Sequence, residues 1–104
     1  MEKREVVYQD LVLSDLRSMG KYCECFKIIK TSDDGEPDIF FTTKKTGAIL
    51  VEMKRPKGPK AKKLQKLKIK KLNDCGTPTF VCHSWEEWIA IKKLIGLNTR
   101  NPWL

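Results

Sequence analysis

Two carboxylates and one lysine are spaced in this chain so that they could form a site for phosphodiester hydrolysis. Glu52 and Lys54 lie two residues apart in a predicted strand, so their side chains leave the same face. Asp38 begins the preceding predicted strand, and a short hairpin loop places it near the Glu52 end of the pair. Carboxylate oxygens suit Mg²⁺, which keeps several waters and completes its shell with phosphate oxygens. A bound divalent ion acidifies a coordinated water, and a neighbouring ammonium group can orient that water and balance the developing charge.

The same residues could instead form a structural ion cluster. Charged side chains at the end of an apolar strand are costly unless they are paired or functional. Asp38 and Glu52 could simply balance Lys54 and the arginine that follows it. Spacing alone leaves these two interpretations evenly matched. The sequence offers no rival Ser-His-Asp set, glycine-rich phosphate loop or Cys-His nucleophile.

A block of positive charge follows the candidate site. Between Lys54 and Lys71 the chain has ten Lys or Arg residues and no Asp or Glu, within a net charge of +8. A polyanion is the expected partner, because each neutralised phosphate releases counterions. Charge alone leaves open an acidic membrane surface or a solvated helix face. The predicted nucleic-acid contacts are Arg55, Lys57, Lys60, Lys62, Lys63, Lys66, Lys68 and Lys70.

Four cysteines raise the question of disulfides or a metal cluster. The N-terminus lacks a signal-peptide pattern, so we expect reduced thiols rather than disulfides. Cys23 and Cys25 are too closely spaced for a zinc knuckle, and a zinc cluster of the four thiols with His83 is a minor alternative. We expect Cys75 and Cys82 to be small buried apolar residues.

The chain length fits one domain. We expect a single domain over residues 1–104, in which residues 97–104 form a C-terminal tail. No apolar run approaches the length of a membrane span, and we therefore expect a cytoplasmic protein with no membrane partner. We also expect no small-molecule cofactor. Trp85 and Trp88 are predicted core residues, and Trp103 in the tail is a predicted interface residue.

Predicted helices and strands alternate in the order α-β-β-β-α-β-α. The elements are a helix over 2–19 ending at Gly20, strands over 22–30, 38–43, 48–54 and 79–82, a helix over 60–74 and a helix from Ser84 to Ile95. Turns are predicted at 31–35 and 44–47. The short second turn makes the two flanking strands antiparallel, and the helical crossover makes the last two strands parallel. We therefore expect an α/β fold with a mixed sheet flanked by helices.

Polar residues fall within the apolar faces of two predicted helices. At 100° per residue, Glu5 and Gln9 lie on the apolar stripe of the first helix, and Gln65 and Lys68 lie on that of the second. The first stripe also contains Tyr8, Val12, Leu16 and Met19, and the second contains Ala61, Leu64, Ile69 and Leu72. Polar groups on a core-facing surface need partners or a function.

Taken in order, these residues resemble the motifs of a nuclease family. Gly35-Glu36-Pro37-Asp38, then Val51-Glu52-Met53-Lys54, then Gln65 in the next helix are similar to the PD-(D/E)xK nuclease superfamily. The closer resemblance is to its VRR-NUC branch, the virus-type replication-repair nucleases. The family places for a first-helix acid, G-x-P-D, E-x-K, a helical Gln and a later Gly are filled by Glu5, Asp38, Glu52, Lys54, Gln65 and Gly76. The likeness spans roughly residues 5–90, and Glu36 departs from it, where an apolar residue is more common.

The resemblance implies a restriction-endonuclease-like α-β-β-β-α-β core and DNA cleavage that depends on Mg²⁺ or Mn²⁺. It implies metal ligation by Asp38, Glu52 and the Met53 carbonyl, and Lys54 as the residue that positions water. Glu5 would assist the metal through water or ligate a second ion, and Gln65 would orient the site. Glu2 lies close to the same helix face as Glu5 and is the alternative first-helix acid. The resemblance further implies a homodimer that acts on branched or flapped DNA, including Holliday junctions.

A non-catalytic nucleic-acid-binding module is the alternative function. It needs only the basic block as phosphate contacts, and its binding would be steeply salt-dependent and indifferent to Mg²⁺. Sequence-specific restriction fits less well, because nothing in this short chain resembles a base-reading loop or an extra recognition domain.

Overall fold

Helices and strands follow the predicted α-β-β-β-α-β-α order in the computed structural model, which describes residues 5–28, 37–54 and 63–97, with side chains from Gln9 onward in the first helix. The elements are α1 (Glu5–Arg17), β1 (Cys23–Lys27), β2 (Ile39–Thr43), β3 (Gly47–Met53), α2 (Lys63–Asp74), β4 (Thr79–Cys82) and α3 (Trp85–Ile95), with a short 3-10 helix at Gly20–Tyr22. The predicted turn at 31–35 lies outside the described residues, as do Ala61 and Trp103.

The four strands form one mixed sheet in the order β1-β2-β3-β4. β2 is antiparallel to both β1 and β3, whereas β3 and β4 are parallel, so both predicted pairings are confirmed. The turn between β2 and β3 needs Gly47, whose φ of +69° strains any residue with a Cβ. The Thr43 hydroxyl accepts a hydrogen bond from the Thr46 N–H at 3.0 Å and closes this turn. β3 carries the predicted site residues Glu52 and Met53, and it is an interior strand because it pairs with both β2 and β4.

The apolar core lies on one face of the sheet, under α1 and α3. Alternate residues of β2 and β3 point into it, and the Trp88 ring meets Phe41 edge-on at 5.9 Å between centroids. The buried apolar residues are Val12, Leu13, Leu16, Cys25, Ile39, Phe41, Ile49, Val51, Met53, Cys82, Trp88, Ile91 and Leu97. Each large side chain among them stabilises the fold by about 1.5–3 kcal/mol on burial.

α2 lies on the opposite face of the sheet and buries little. Gln65 is the one buried residue within Lys63–Asp74, while Ile69 and Leu72 are half-buried. The prediction that Leu64 faces the core is wrong, because 57% of its surface is exposed. The helix turns Gln65 toward the sheet, which leaves Leu64 at the margin of the contact. Gln65 lies on the buried face of this helix, as predicted.

Several predicted boundaries differ from the structure. α1 ends at Arg17, and Gly20, with φ of +60°, begins the 3-10 helix instead of capping α1 directly. β1 is shorter than the predicted 22–30 strand. Leu97 is buried against the core, so it belongs to the fold and not to the predicted tail. Cys75 is exposed because α2 ends at Asp74, so its predicted burial is wrong, whereas Cys82 is fully buried as predicted.

The start of α3 has the predicted cap. The Ser84 hydroxyl accepts a hydrogen bond from the Glu87 N–H at 3.1 Å, and the Glu87 carboxylate accepts one from the His83 N–H at 2.7 Å. Gly96 ends the helix with φ of +72°. No helix in the described part of the chain is long and apolar enough to cross a membrane.

Candidate active site

Glu52 is a buried carboxylate near the end of the interior strand β3. Its neighbours Val51 and Met53 point into the apolar core, so the alternation of the strand turns Glu52 toward α2. Only 1% of the surface of Glu52 is exposed to solvent. Removing a carboxylate from water costs several kcal/mol unless partners compensate. The side chain therefore depends on the groups around it.

Asp38 lies beside this position on the neighbouring strand. Its N–H donates to the Val51 carbonyl at 2.9 Å, and its Oδ2 accepts a hydrogen bond from the Met53 N–H at 2.7 Å. The side chain is 7% exposed. Two bonds to β3, one from the backbone and one to the carboxylate, thus hold Asp38 at the same end of the sheet as Glu52.

The Met53 carbonyl lies on the Asp38 side of β3. The Lys54 N–H donates to the Cys82 carbonyl at 2.8 Å, so the backbone N–H of Lys54 faces β4. The Met53 N–H faces β2 instead, since it donates to Asp38. Within a strand the N–H and C=O of one residue point to the same side. The carbonyl oxygen is therefore directed toward the strand that Asp38 begins.

Lys54 follows β3 directly and extends along the same face as Glu52. Its Nζ lies 3.4 Å from the Glu52 Oε2, and its side chain is 20% exposed. The ammonium group is thus paired with the buried carboxylate and still reaches solvent. This geometry joins a buried carboxylate to a partly exposed lysine.

Gln65 of α2 contacts Glu52 from above the sheet. Its Nε2 donates a hydrogen bond to the Glu52 Oε2. The amide must present its N–H to an ionised carboxylate, because a carboxylate only accepts. The Oε1 is then buried, with no hydrogen-bond partner among the described residues. Gln65 is therefore the residue by which α2 holds Glu52 in place, and its Oε1 can accept a further hydrogen bond or contact a ligand.

The remaining predicted site residues divide into two groups. For Glu5 only the backbone is described, as the first residue of α1. Glu2 and the basic residues Arg55, Lys57, Lys60 and Lys62 lie outside the described residues. In α2, Lys68 is half-buried and Lys63, Lys66 and Lys70 are exposed. Lys70 pairs with Asp74 at 2.8 Å, so part of its charge is balanced locally.

No group of three or more His, Cys, Asp or Glu residues that could hold a metal occurs among the described side chains. The predicted magnesium site has two described carboxylates, Asp38 and Glu52, and its third acid, Glu5, has no described side chain. The alternative zinc cluster does not assemble within the described part: Cys75 is exposed after α2, and Cys82 is buried in the core.

Two thiols near the start of the sheet are poor nucleophiles. Burial raises the pKa of Cys23 from 9.0 to about 11, with smaller contributions from Cys25 and Glu24. Burial also raises the pKa of Cys25. A raised pKa leaves little thiolate at neutral pH. All four cysteines of the chain are free.

Backbone contacts at the site have no signature in residue type. The Met53 N–H fixes the Asp38 carboxylate, yet every residue except proline carries the same donor. Only the predicted register of β2 against β3 could have located it. The side chains that meet here, in contrast, are those singled out from spacing.

Comparisons with known proteins identify the family and the fold. The family model of the VRR-NUC domain matches residues 7–86. A solved VRR-NUC domain structure shares the fold, with a TM-score of 0.72 and 17% identity over 88% of this chain and 97% of that one. No curated protein sequence matches the chain. Because the family model covers most of the chain, including both strands of the candidate site and Gln65, the protein belongs to the VRR-NUC domain family, a family of nucleases.

Proposed function

We propose that this protein is a metal-dependent, structure-selective DNA endonuclease that hydrolyses phosphodiester bonds at Asp38, Glu52 and Lys54. The buried position of Glu52 carries the proposal. A carboxylate with 1% exposure, on the sheet face that has little apolar packing, lowers the stability of the fold. Such a cost is expected where the carboxylate serves a function. Its contacts to Lys54 and Gln65 fix the orientation of this carboxylate, which supports a role in holding a cation.

The donor atoms fit a hard divalent cation. Asp38 and Glu52 supply carboxylate oxygens, and the Met53 carbonyl is directed toward the same strand as Asp38. The Gln65 Oε1 is a further buried oxygen with no hydrogen-bond partner among the described residues. Mg²⁺ and Mn²⁺ prefer such all-oxygen sets. Asp38, Glu52 and the Met53 carbonyl would hold the ion, and Glu5 would assist it through water or ligate a second ion. When bound, the ion supplies positive charge to the phosphoryl oxygens and acidifies water.

Lys54 and Gln65 have different roles in this proposal. The Lys54 ammonium group lies at the exposed edge of the site, where it can orient the attacking water and balance negative charge on the phosphate. Gln65 donates to Glu52 and is itself buried, so it acts as a positioning residue. Fixing Glu52 in one orientation lowers the reorganisation that the reaction requires.

The substrate proposal rests on charge and on the family. The exposed lysines of α2, Lys63, Lys66 and Lys70, continue the basic block that includes Lys57, Lys60 and Lys62. Lysines neutralise phosphates without reading bases, which suits recognition of DNA shape. We propose branched or flapped DNA, including Holliday junctions, as the substrate. A homodimer would supply the two sites that symmetric cleavage of a junction requires.

The test is a cleavage assay on a labelled substrate panel. Four-way junction, flap, duplex and single-stranded DNA are each incubated with Mg²⁺, Mn²⁺ or chelator, using wild type and Lys54→Ala. Lys93→Ala, which removes an exposed lysine of α3, is the matched control. We expect metal-dependent cleavage that falls by at least about 100-fold in Lys54→Ala and stays unchanged in Lys93→Ala. Tight, metal-independent binding without cleavage by any of the three proteins would support the non-catalytic binding module instead.

A further inference from the structure

Two phenylalanines form an aromatic pair on the open face of the sheet. Phe26 of β1 and Phe40 of β2 are partners in the strand register, and their rings stack with centroids 4.9 Å apart at 28°. Phe26 keeps 49% of its surface exposed, which is unusual for so large an apolar side chain. Phe40 is half-buried. An aromatic face thus remains open on the same side of the sheet as α2.

A basic groove lies where β1 begins and β2 ends. Its volume is about 630 Å³, and it is lined by Lys21, Tyr22, Cys23, Glu24, Thr42, Thr43, Lys44 and Lys45. Three of these residues are lysines and one is acidic. Tyr22 is 68% exposed, and the Lys21 Nζ lies 5.4 Å from the centre of its ring. The groove therefore combines an open aromatic ring with an excess of positive charge.

The candidate active site, the aromatic pair and the groove lie on one line. Phe40 and Thr42 are alternate residues of β2, so they share a face, and Asp38 immediately precedes this strand. At about 3.4 Å per residue, Asp38 and Thr42 are separated by about 14 Å along the strand. The aromatic pair lies midway between the two ends.

We propose that this line, from Asp38 past Phe26 to the groove, is a track for a single-stranded segment of the nucleic-acid substrate. Bases stack on Phe26 and Tyr22, while phosphates meet Lys21, Lys44 and Lys45. Open aromatic rings select single strands, because the base faces of a duplex are already stacked on one another. The choice of nucleic acid as the ligand rests on the proposed nuclease function. The track explains how a small domain without a base-reading loop would prefer flapped or branched substrates.

Direct binding tests the track without requiring catalysis. Fluorescence anisotropy measures the affinity for a labelled oligothymidylate of about twelve nucleotides, within the range of known single-strand sites, in the presence of chelator. Tyr22→Ala and Phe26→Ala are each expected to weaken binding by at least about fivefold, the lower limit for loss of one stacked base. Tyr22→Phe keeps the ring and should bind as wild type does. Leu94→Ala, which truncates a 75% exposed side chain on α3, is the control for Phe26→Ala.

The lysines are tested through the salt dependence of the same affinity. Lys44→Glu combined with Lys45→Glu should lower the slope of log affinity against log salt by about 1.4, because each single-strand phosphate contact contributes about 0.7. Lys93→Glu on α3 should leave the slope unchanged. An unchanged slope in the double variant, or equal affinities of wild type and Tyr22→Ala, would overturn the track.

Three further outcomes separate the possible failures. If Phe26→Ala changes the sedimentation coefficient but not the oligonucleotide affinity, the aromatic pair is covered by a second copy of the chain and the track is wrong. If wild type cleaves DNA with metal while Tyr22→Ala binds normally, the track fails and the nuclease proposal stands. If Tyr22→Ala loses binding but wild type never cleaves, the track stands and the nuclease proposal fails.

Discussion

The pair between Asp15 of α1 and Lys92 of α3 gives the most definite stability prediction. Asp15 is fully buried, and its Oδ2 accepts hydrogen bonds from the Trp88 Nε1 at 2.7 Å and the Lys92 Nζ at 2.8 Å. The Oδ1 is buried with no hydrogen-bond partner among the described residues. Lys92→Met keeps an apolar stem of similar length and removes the charge that balances Asp15.

The expected loss follows from leaving the Asp15 carboxylate in an apolar environment. Removing one partner of a buried ion pair costs about 3–5 kcal/mol. Lys92 also lies 5.8 Å from the ring centres of Trp85 and Trp88, and losing these cation–π contacts adds about 0.5–1 kcal/mol. Since a domain of this kind has about 5–15 kcal/mol in total, the free energy of unfolding should fall by at least about a quarter.

Urea unfolding followed by tryptophan fluorescence measures this loss, because Trp88 lies beside the altered group. Lys93→Met, on the exposed side of the same helix, should change the free energy of unfolding by less than about 0.5 kcal/mol. Combining Lys92→Met with Asp15→Asn should recover part of the loss, since the amide oxygen still accepts from Trp88 and no buried charge remains. Equal midpoints for Lys92→Met and Lys93→Met would refute this reasoning.

Three other side chains give separate predictions. Gln65→Leu should lower single-turnover cleavage by about 10- to 100-fold while the melting temperature stays within a few degrees, because Glu52 loses its amide partner; full cleavage would contradict the positioning role. Cys23 holds its proton more tightly when folded, with a pKa raised from 9.0 to about 11, so its contribution to stability is complete below pH 9 and is lost as pH rises through about 11. Urea midpoints should therefore fall less steeply over that range in Cys23→Ala than in wild type, and parallel curves would argue against burial of the thiol. Ser84→Ala should cost about 1 kcal/mol in urea unfolding and Ser84→Asp a few tenths, and no difference between the two would mean that the cap to Glu87 is not stabilising.

The sheet was predictable because its signals are local. The run from Ile39 to Thr43 and the run ending at Met53 are rich in β-forming residues, and the three-residue loop between them allows only an antiparallel pair. The crossover through α2 then forces β4 to run parallel to β3. Each of these inferences needs only neighbouring residues and the rules of chain connection.

The helix faces were harder to predict because contacts across the sheet decide them. Leu64 fits an apolar arc by its spacing, yet it is 57% exposed, because the helix presents Gln65 to Glu52 instead. Asp15, in turn, reads as a polar residue of a surface helix, but Trp88 and Lys92 bury it completely. Its partners lie more than seventy residues away, and no periodicity in α1 points to them.

The contrast between the two faces of the sheet is the structural basis for proposing a functional site at Glu52 in preference to a structural ion cluster. The face under α1 and α3 is filled with apolar side chains, and its one buried carboxylate, among the described residues, is held by a buried lysine and an indole N–H. On the face under α2 the buried positions are polar, with Glu52 held by Gln65 and by a lysine that still reaches solvent. Structural ion pairs are enclosed by packing, whereas a charge that must meet a ligand needs one open side. In this pair Glu52 is buried and Lys54 is the partly exposed member, with 20% of its side chain exposed. The apolar core on the opposite face offsets the cost of burying Glu52.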